Sequence, residues 1–151
     1  MIKRLTCEFV DRISTDFPTL EKLNLSNNGK INCLANVLEL TRIENLERFS
    51  VSLKILNVSN NRLLSVSDVP EHTSFGQQNS YGVSLLVNLM HLDLSRNLIS
   101  CLDGLISLKV LAYLDLSENK IGMISEVVKL KANTSLKQLS LFKNPIQMTK
   151  S

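Results

Sequence analysis

Three side chains in this sequence have the types and spacing that acid–base or metal chemistry would need: His91, Asp93 and Asp115. An imidazole and two carboxylates can transfer a proton or coordinate a divalent ion. The segments HLD and YLD that contain them occupy the same place in a repeated pattern, so the two aspartates would lie about 4.8 Å apart if the copies form neighbouring strands of one sheet. The alternative, which we favour, is a solvated surface, because the equivalent residues elsewhere are small and polar, namely Asn24, Asn57 and Ser140.

Other signatures of catalysis or cofactor binding are missing from the sequence. It contains no G-x-S-x-G, Walker loop, G-x-G-x-x-G or H-E-x-x-H motif. Cys7, Cys33 and Cys101 are widely spaced and form no C-x-x-C pair or Cys/His cluster, which is typical of buried free thiols in a reducing compartment. We therefore predict that the protein is not an enzyme and has no metal site and no cofactor.

The composition favours one domain and gives no signal for a nucleic-acid or membrane partner. The chain has 151 residues, 44% of them hydrophobic, which is enough for a single core. Its net charge of +3 is spread along the sequence and is too mild to predict binding to nucleic acid or to an anionic membrane. Neither a signal peptide nor an apolar run of about 18 residues is apparent. We expect a protein without membrane insertion, not secreted and cytoplasmic, with a nuclear or cytoskeletal location as the alternative.

The elements that would position these side chains come from one pattern, LxxLxLxxN, which occurs five times. The copies are LEKLNLSNN, LKILNVSNN, LMHLDLSRN, LAYLDLSEN and LKQLSLFKN. Apolar residues at positions 4 and 6 have the spacing of a short strand with one buried face, so positions 3 and 5 point outward. The final asparagine has an amide that can pair the backbone of a turn, which predicts a structural asparagine ladder of Asn28, Asn61, Asn97, Asn119 and Asn144.

These copies resemble the leucine-rich repeat family over about residues 20 to 146. The resemblance implies an α/β fold, a leucine-rich repeat solenoid with a concave parallel β-sheet and with helices or irregular turns on the convex side. The 22-residue spacing between the third and fourth copies is similar to the short intracellular class, which includes a regulatory subunit of protein phosphatase 1 and a dynein light chain. Strands are expected near residues 20, 53, 89, 111 and 136.

The segments around the repeats predict four further features. Helical spacing of apolar residues within 1–19 indicates an N-terminal capping helix or a degenerate repeat. Residues 31–50 predict an extended convex helix, and the polar, aperiodic stretch 67–84 predicts an inserted loop in the repeat region 20–151. The sequence ends soon after the fifth copy, so we expect a fragment, a short isoform or a chain that a partner completes.

The outward side chains of neighbouring copies predict a binding surface. Ile55, His91 and Tyr113 share repeat position 3 and are larger and less soluble than a purely solvated face requires. Aromatic anchors near the centre of an interface tend to dominate its binding energy, although isolated apolar surface residues are also common. The predicted partner-binding residues of the concave face are Ile55, Met90, His91, Asp93, Tyr113, Asp115 and Gln138. In the 67–84 loop, Phe75 and Tyr81 are candidate contacts, and a loop without consequence is the alternative.

The sequence therefore favours a protein-interaction module, a scaffold or regulatory subunit that binds another protein. An RNA-associated adaptor is the alternative, because DFPTLEKLNLSNN resembles the repeat segment of nuclear mRNA export receptors. The absence of a basic stripe argues against it. A structural spacer within a larger protein is the third interpretation.

Overall fold

The computed structural model describes residues 7–27, 46–66 and 83–148. Their main feature is a five-stranded parallel sheet whose strands follow one another in chain order. Each strand begins two residues after the first leucine of its copy. The strands are β1 Lys22–Asn24, β2 Ile55–Asn57, β3 His91–Asp93, β4 Tyr113–Asp115 and β5 Gln138–Ser140. This sheet confirms the predicted α/β repeat solenoid, and we call its open side, which carries repeat positions 3 and 5, the concave face.

The register of the sheet places equivalent residues of successive copies side by side. Ile55 pairs with His91, His91 with Tyr113, and Tyr113 with Gln138. The segments between strands contain helix α2 (Ile124–Lys129) and short 3-10 helices, because parallel strands need a crossover to return the chain to the same edge. The 3-10 helices are Leu46–Phe49, Asp103–Leu105, Leu130–Ala132 and Pro145–Met148.

The core consists of the apolar residues that the pattern repeats. In β3 and its flanks Leu89, Leu92 and Leu94 are fully buried, and the same three positions are buried in the copies of β2 and β4. Full burial of such a side chain stabilises the fold by about 1.5–3 kcal/mol. Leu139, at the equivalent position of β5, is 40% exposed, because the described residues place no strand beyond β5.

The N-terminal segment contains helix α1, Cys7–Asp16. Val10 of this helix is buried with the core, Ile13 packs against it, and Asp11 forms an ion pair with Arg48 at 2.5 Å. The role of this segment as a cap stays a prediction. Of the predicted convex helix in 31–50, the structure describes only the end, which includes the 3-10 helix Leu46–Phe49. Residues 67–82 of the predicted loop, with Phe75 and Tyr81, lie outside the described residues.

Buried asparagines connect one copy to the next. The side-chain amide of Asn97 donates to the carbonyls of Val58, Leu94 and Ser95 at 3.0–3.2 Å, and its oxygen accepts the amide of Leu63 at 3.0 Å. The corresponding bonds join Asn119 and Asn144 to their preceding copies, and Asn61 donates in the same way. These bonds satisfy buried backbone groups that would otherwise cost about 1–3 kcal/mol each. Asn28 lies outside the described residues.

Repeat position 8 adopts a left-handed backbone in all five copies. The φ angles lie between 54° and 61°, and the residues are Asn27, Asn60, Arg96, Glu118 and Lys143. Asparagine tolerates this conformation, whereas arginine, glutamate and lysine do so at a cost of about 1–2 kcal/mol. The geometry lets the amide of position 8 bond position 7 of the next copy, as from Arg96 N to Ser117 O at 2.8 Å. The hydrogen bonds of this shared turn therefore outweigh the local conformational preference of the residue at position 8.

Candidate binding site on the concave face

The turn that follows each strand fixes the side chain at repeat position 5. Asp93 Oδ1 accepts the amide of Ser95 at 3.0 Å, and Asp115 Oδ1 accepts the amide of Ser117 at 2.8 Å. Asn24 and Asn57 accept the equivalent amides, both at 2.9 Å. One oxygen of each side chain thus serves an Asx turn, which short polar residues form readily. The sequence interpretation of a merely solvated position missed this structural use.

Four side chains in the centre of the sheet form what we call the concave patch: His91, Asp93, Tyr113 and Asp115. The rings of His91 and Tyr113 stack, with centroids 5.8 Å apart and an interplanar angle of 23°. Residues two apart on a strand share a face, so the aspartates lie on the same side of the sheet as the rings. Burial, followed by the negative charges of Asp115 and Asp93, raises the pKa of Tyr113. A side-chain hydrogen bond with Asp115 also contributes to this raised pKa, so the protonated phenol has an acceptor within the patch.

The other predicted contact residues extend this surface. Ile55 and Gln138 flank His91 and Tyr113 in the register, and Met90 is exposed immediately before β3. Phe142 replaces the serine of the other copies at position 7 and is 59% exposed, with the Lys143 ammonium 5.3 Å from its ring centroid. Six of the seven predicted concave residues thus lie in the strands of one sheet, and Met90 directly precedes β3. Phe75 and Tyr81 lie outside the described residues.

A second cluster of ionisable groups has no counterpart in the sequence analysis. The Lys129 cluster comprises Cys101, Asp103, Glu126 and Lys129, and it lies between the segment after β3 and helix α2. Lys129 Nζ lies 2.5 Å from Asp103 Oδ1 and 2.8 Å from Glu126 Oε2. Glu126 is buried, and its Oε2 also accepts the amide of Leu102 at 2.9 Å. Twenty or more residues separate the two halves of the cluster, so no local sequence signal could have identified it.

The pKa values in the Lys129 cluster follow from these contacts. Hydrogen bonds from the Lys129 ammonium lower the pKa of Glu126 and of Asp103. The same bonds raise the pKa of Lys129 well above its usual range, and the bond that it donates to Asp103 contributes more than the bond that it donates to Glu126. Burial raises the pKa of the Cys101 thiol, which donates to Asp103 Oδ2 at 3.1 Å. All three charged groups are therefore held in their ionised forms.

The Lys129 cluster is the place in the described residues where a metal ion would find ligands. Ligand atoms of Cys101, Asp103 and Glu126 lie within 4.8 Å of one another. The ammonium of Lys129 already contacts both carboxylates, so a metal ion would have to displace it. We interpret the cluster as a structural ion-pair network. Cys101 is partly exposed, which corrects the expectation of buried thiols; the thiolate reactivity of an exposed cysteine is suppressed here by the raised pKa.

Comparison with known proteins agrees with this geometry. Residues 52–74 match the family model described as Leucine Rich Repeat, and the sheet repeats that unit five times. The described residues therefore have the fold of a leucine-rich repeat solenoid. Comparison with curated protein sequences gives no match. The assignment to the short intracellular class stays a prediction.

Several solved structures share the fold of this chain. A chain of the SNF/U2A′ complex of Drosophila melanogaster is 21% identical with a TM-score of 0.63, and the match covers 99% of this chain and 74% of that one. An internalin of Listeria monocytogenes is 21% identical with a TM-score of 0.59, covering 91% of this chain and 30% of that one. A leucine-rich repeat protein of Leptospira interrogans is 22% identical with a TM-score of 0.55, covering 91% and 27%.

The chain thus spans less than a third of the length of the internalin and Leptospira proteins that it resembles. At these identities the likeness establishes the shared fold. Within residues 7–27, 46–66 and 83–148, no helix has both the length and the hydropathy to cross a bilayer.

Proposed function

We propose that this leucine-rich repeat chain is a protein-interaction module, a scaffold or regulatory subunit that binds a partner protein on its concave face. The observation that carries the proposal is the stacked pair of His91 and Tyr113 at the centre of an open sheet face. Tyrosine is enriched among the residues that dominate interface energies, because its ring offers a large contact area and its hydroxyl a hydrogen bond. Ile55, Met90 and Gln138 would surround this centre, with Asp93 and Asp115 as its charged groups.

The order of the concave patch supports this proposal. Asp93 and Asp115 are each held by a backbone amide of the following turn, and the two rings hold each other. Side chains that are already ordered lose little entropy when a partner binds, so more of the contact energy is available for affinity. A rigid sheet that presents pre-positioned groups is therefore suited to recognition.

The proposal assigns no catalytic role to His91, Asp93 or Asp115. Both aspartates use one oxygen in a structural turn that Asn24 and Asn57 form equally well.

We also propose that the binding takes place in the cytoplasm, with the nucleus as the alternative. Imaging of the tagged chain in cells tests this location.

Affinity capture from a cell lysate tests the interaction. The intact chain is compared with a His91→Ala, Tyr113→Ala variant whose circular dichroism and unfolding transition show that it is folded. The matched control is Ile124→Ala, Val128→Ala, which removes two exposed apolar side chains from α2 and leaves the sheet untouched. We expect specific proteins to bind the intact chain and the control and to be lost from the patch variant. If all three profiles are the same, the concave patch is not the binding site.

The SNF/U2A′ structure gives this proposal further support, because that similar chain occurs in a complex.

An RNA-associated adaptor is the second candidate, based on the resemblance of residues 16–28 to mRNA export receptors. The negative charges of Asp93 and Asp115 at the centre of the face oppose binding of phosphates. Replacement of both by lysine would raise RNA affinity if RNA contacts this face, would weaken protein binding under our proposal, and would change neither for a structural spacer.

A further inference from the structure

Among the described residues, several carboxylates have a counterion that the aspartates of the concave patch lack. Glu21 pairs with Lys54, Glu118 with Arg96 and Lys143, and Asp103 and Glu126 with Lys129. Asp93 and Asp115 form no ion pair with any of the described residues, although they are in register on adjacent strands. Like charges directly opposite each other destabilise a sheet, so this arrangement carries a cost that a bound cation would remove.

The fold itself does not need these two negative charges. In β1 and β2, Asn24 and Asn57 accept the same turn amides at 2.9 Å, while Asp93 and Asp115 accept theirs at 3.0 and 2.8 Å. An amide oxygen therefore performs the structural task as well as a carboxylate oxygen does. The additional oxygen and its charge serve no turn, and they are confined to the two central strands that also carry the stacked rings.

The rings determine which cation fits best. A guanidinium is planar, stacks on an aromatic face and bonds a carboxylate through two parallel N–H groups, whereas an ammonium is a compact point charge. The exposed ring of His91 and the half-buried ring of Tyr113 stand beside two carboxylates on one face. This combination offers a stacking surface and a planar anionic acceptor at neighbouring positions, which is the complement of an arginine side chain.

We propose that the concave patch binds an arginine presented by a basic segment of the partner protein. The guanidinium stacks on the Tyr113–His91 pair and donates to the carboxylates of Asp93 and Asp115. This inference rests on the proposed function, since it names the chemistry of the partner at the same site. It also gives the two aspartates a purpose that their structural turns do not require.

The test uses the whole chain and two soluble probes, a short peptide of alternating arginine and glycine and its lysine counterpart of the same length. NMR shifts of backbone amides report where each peptide binds, and their titration reports affinity. We expect shifts centred on β3 and β4 and about tenfold weaker binding of the lysine peptide, since an ammonium makes neither the bidentate contact nor the stacking of a guanidinium.

The decisive variant is Asp93→Asn, Asp115→Asn, which keeps the turn acceptors and removes the charge. We expect it to fold like the parent and to bind the arginine peptide about tenfold or more weakly. The control is Asp11→Asn, Asp16→Asn on α1, which changes the net charge equally but leaves the sheet intact, and which should retain binding. Shifts elsewhere, equal binding of the two peptides, or undiminished binding by the Asp93, Asp115 variant would overturn the arginine proposal.

The two proposals fail in different ways. If partner capture depends on His91 and Tyr113 but the arginine peptide does not bind the patch, the interaction function stands and the arginine inference is wrong. If capture is independent of the patch, the proposed function fails whatever the peptide does. Stronger binding of a polyuridylate strand than of the arginine peptide at β3 and β4 would replace both with nucleic-acid binding.

Discussion

The Lys129 cluster and the concave patch contain the same kind of charge in opposite situations. In the cluster, Asp103 and Glu126 share one ammonium at 2.5–2.9 Å, and Glu126 also accepts a buried backbone amide. In the patch, Asp93 and Asp115 face each other across two strands, and no described lysine or arginine pairs with either. One group of charges is satisfied inside the chain, and the other is held in place without a counterion from the part of the chain that the structure describes.

Under our proposal, this difference separates the charges that maintain the fold from those that recognise a partner. A carboxylate that bonds both a cation and a buried amide cannot be removed without leaving an unsatisfied group. Where an asparagine oxygen could accept the same backbone amide, the fold does not require the negative charge of the carboxylate. The comparison thus predicts that substitutions in the cluster change stability and that charge substitutions in the patch change binding.

The largest effect is expected for Glu126→Ala. The buried amide of Leu102 loses its acceptor, so the free energy of unfolding should fall by about 2 kcal/mol. Urea unfolding followed by circular dichroism measures it. The control is Asp103→Ala, which removes an exposed partner of the same lysine but no backbone acceptor and should have a clearly smaller effect. Equal losses in the two variants would show that the amide bond is not what makes Glu126 important.

The pH dependence of stability should reveal the charge of the cluster. Glu126 and Asp103 have lowered pKa values, so their contribution is present above their ordinary values of 4.5 and 3.8 and is lost as the pH falls through the folded-state values. The raised pKa of Lys129 makes its contribution present below 10.5 and lost only above that pH. The stability difference between the parent and Glu126→Gln should therefore be steady near neutrality and shrink below about pH 4. A difference that stays constant on acidification would contradict the ion pair.

A smaller change is expected at Asp93, where two substitutions separate the turn from the charge. Asp93→Ala removes the acceptor of the Ser95 amide and should reduce the free energy of unfolding by about 1 kcal/mol. Asp93→Asn keeps an acceptor and should stay within about 0.5 kcal/mol of the parent. Asn57→Ala in β2 serves as the reference for the turn alone. If Asp93→Asn is as destabilising as Asp93→Ala, the charge has a structural role after all.

The smallest effect concerns the titration of Tyr113. The charges of Asp115 and Asp93 contribute to its raised pKa, so Asp93→Asn, Asp115→Asn should lower that pKa toward the ordinary value of 10.0 without removing the contribution of burial. Ultraviolet absorbance of the phenolate measures the change in a Tyr81→Phe background, because the chain has two tyrosines. An unchanged pKa of Tyr113 would mean that the two carboxylates lie too far from its ring for one guanidinium to contact both the ring and the carboxylates.

Much of the architecture was predictable from the repeated pattern, because each copy encodes the same local geometry. The period-2 leucines predicted short strands, and the resemblance to leucine-rich repeats implied that they form a parallel sheet. Comparison of equivalent positions predicted that Ile55, His91 and Tyr113 would form a row. The Lys129 cluster was not predictable, since Cys101 and Lys129 belong to different repeats and their contact depends on how the crossovers pack. The left-handed turn at Arg96, Glu118 and Lys143 was equally hidden, because those residue types do not favour it locally.

The sequence by itself determined which side chains point inward and which outward, because burial of leucines at a fixed spacing leaves the chain one way to stack its copies. It also determined that Asp93 and Asp115 stand beside His91 and Tyr113. Only the tertiary structure decided which carboxylates of the Lys129 cluster and the concave patch have a counterion. An ion pair between different repeats forms only where the folded chain brings the two side chains together. Lysine reaches the carboxylates of the Lys129 cluster, and among the described residues none reaches the aspartates of the concave patch.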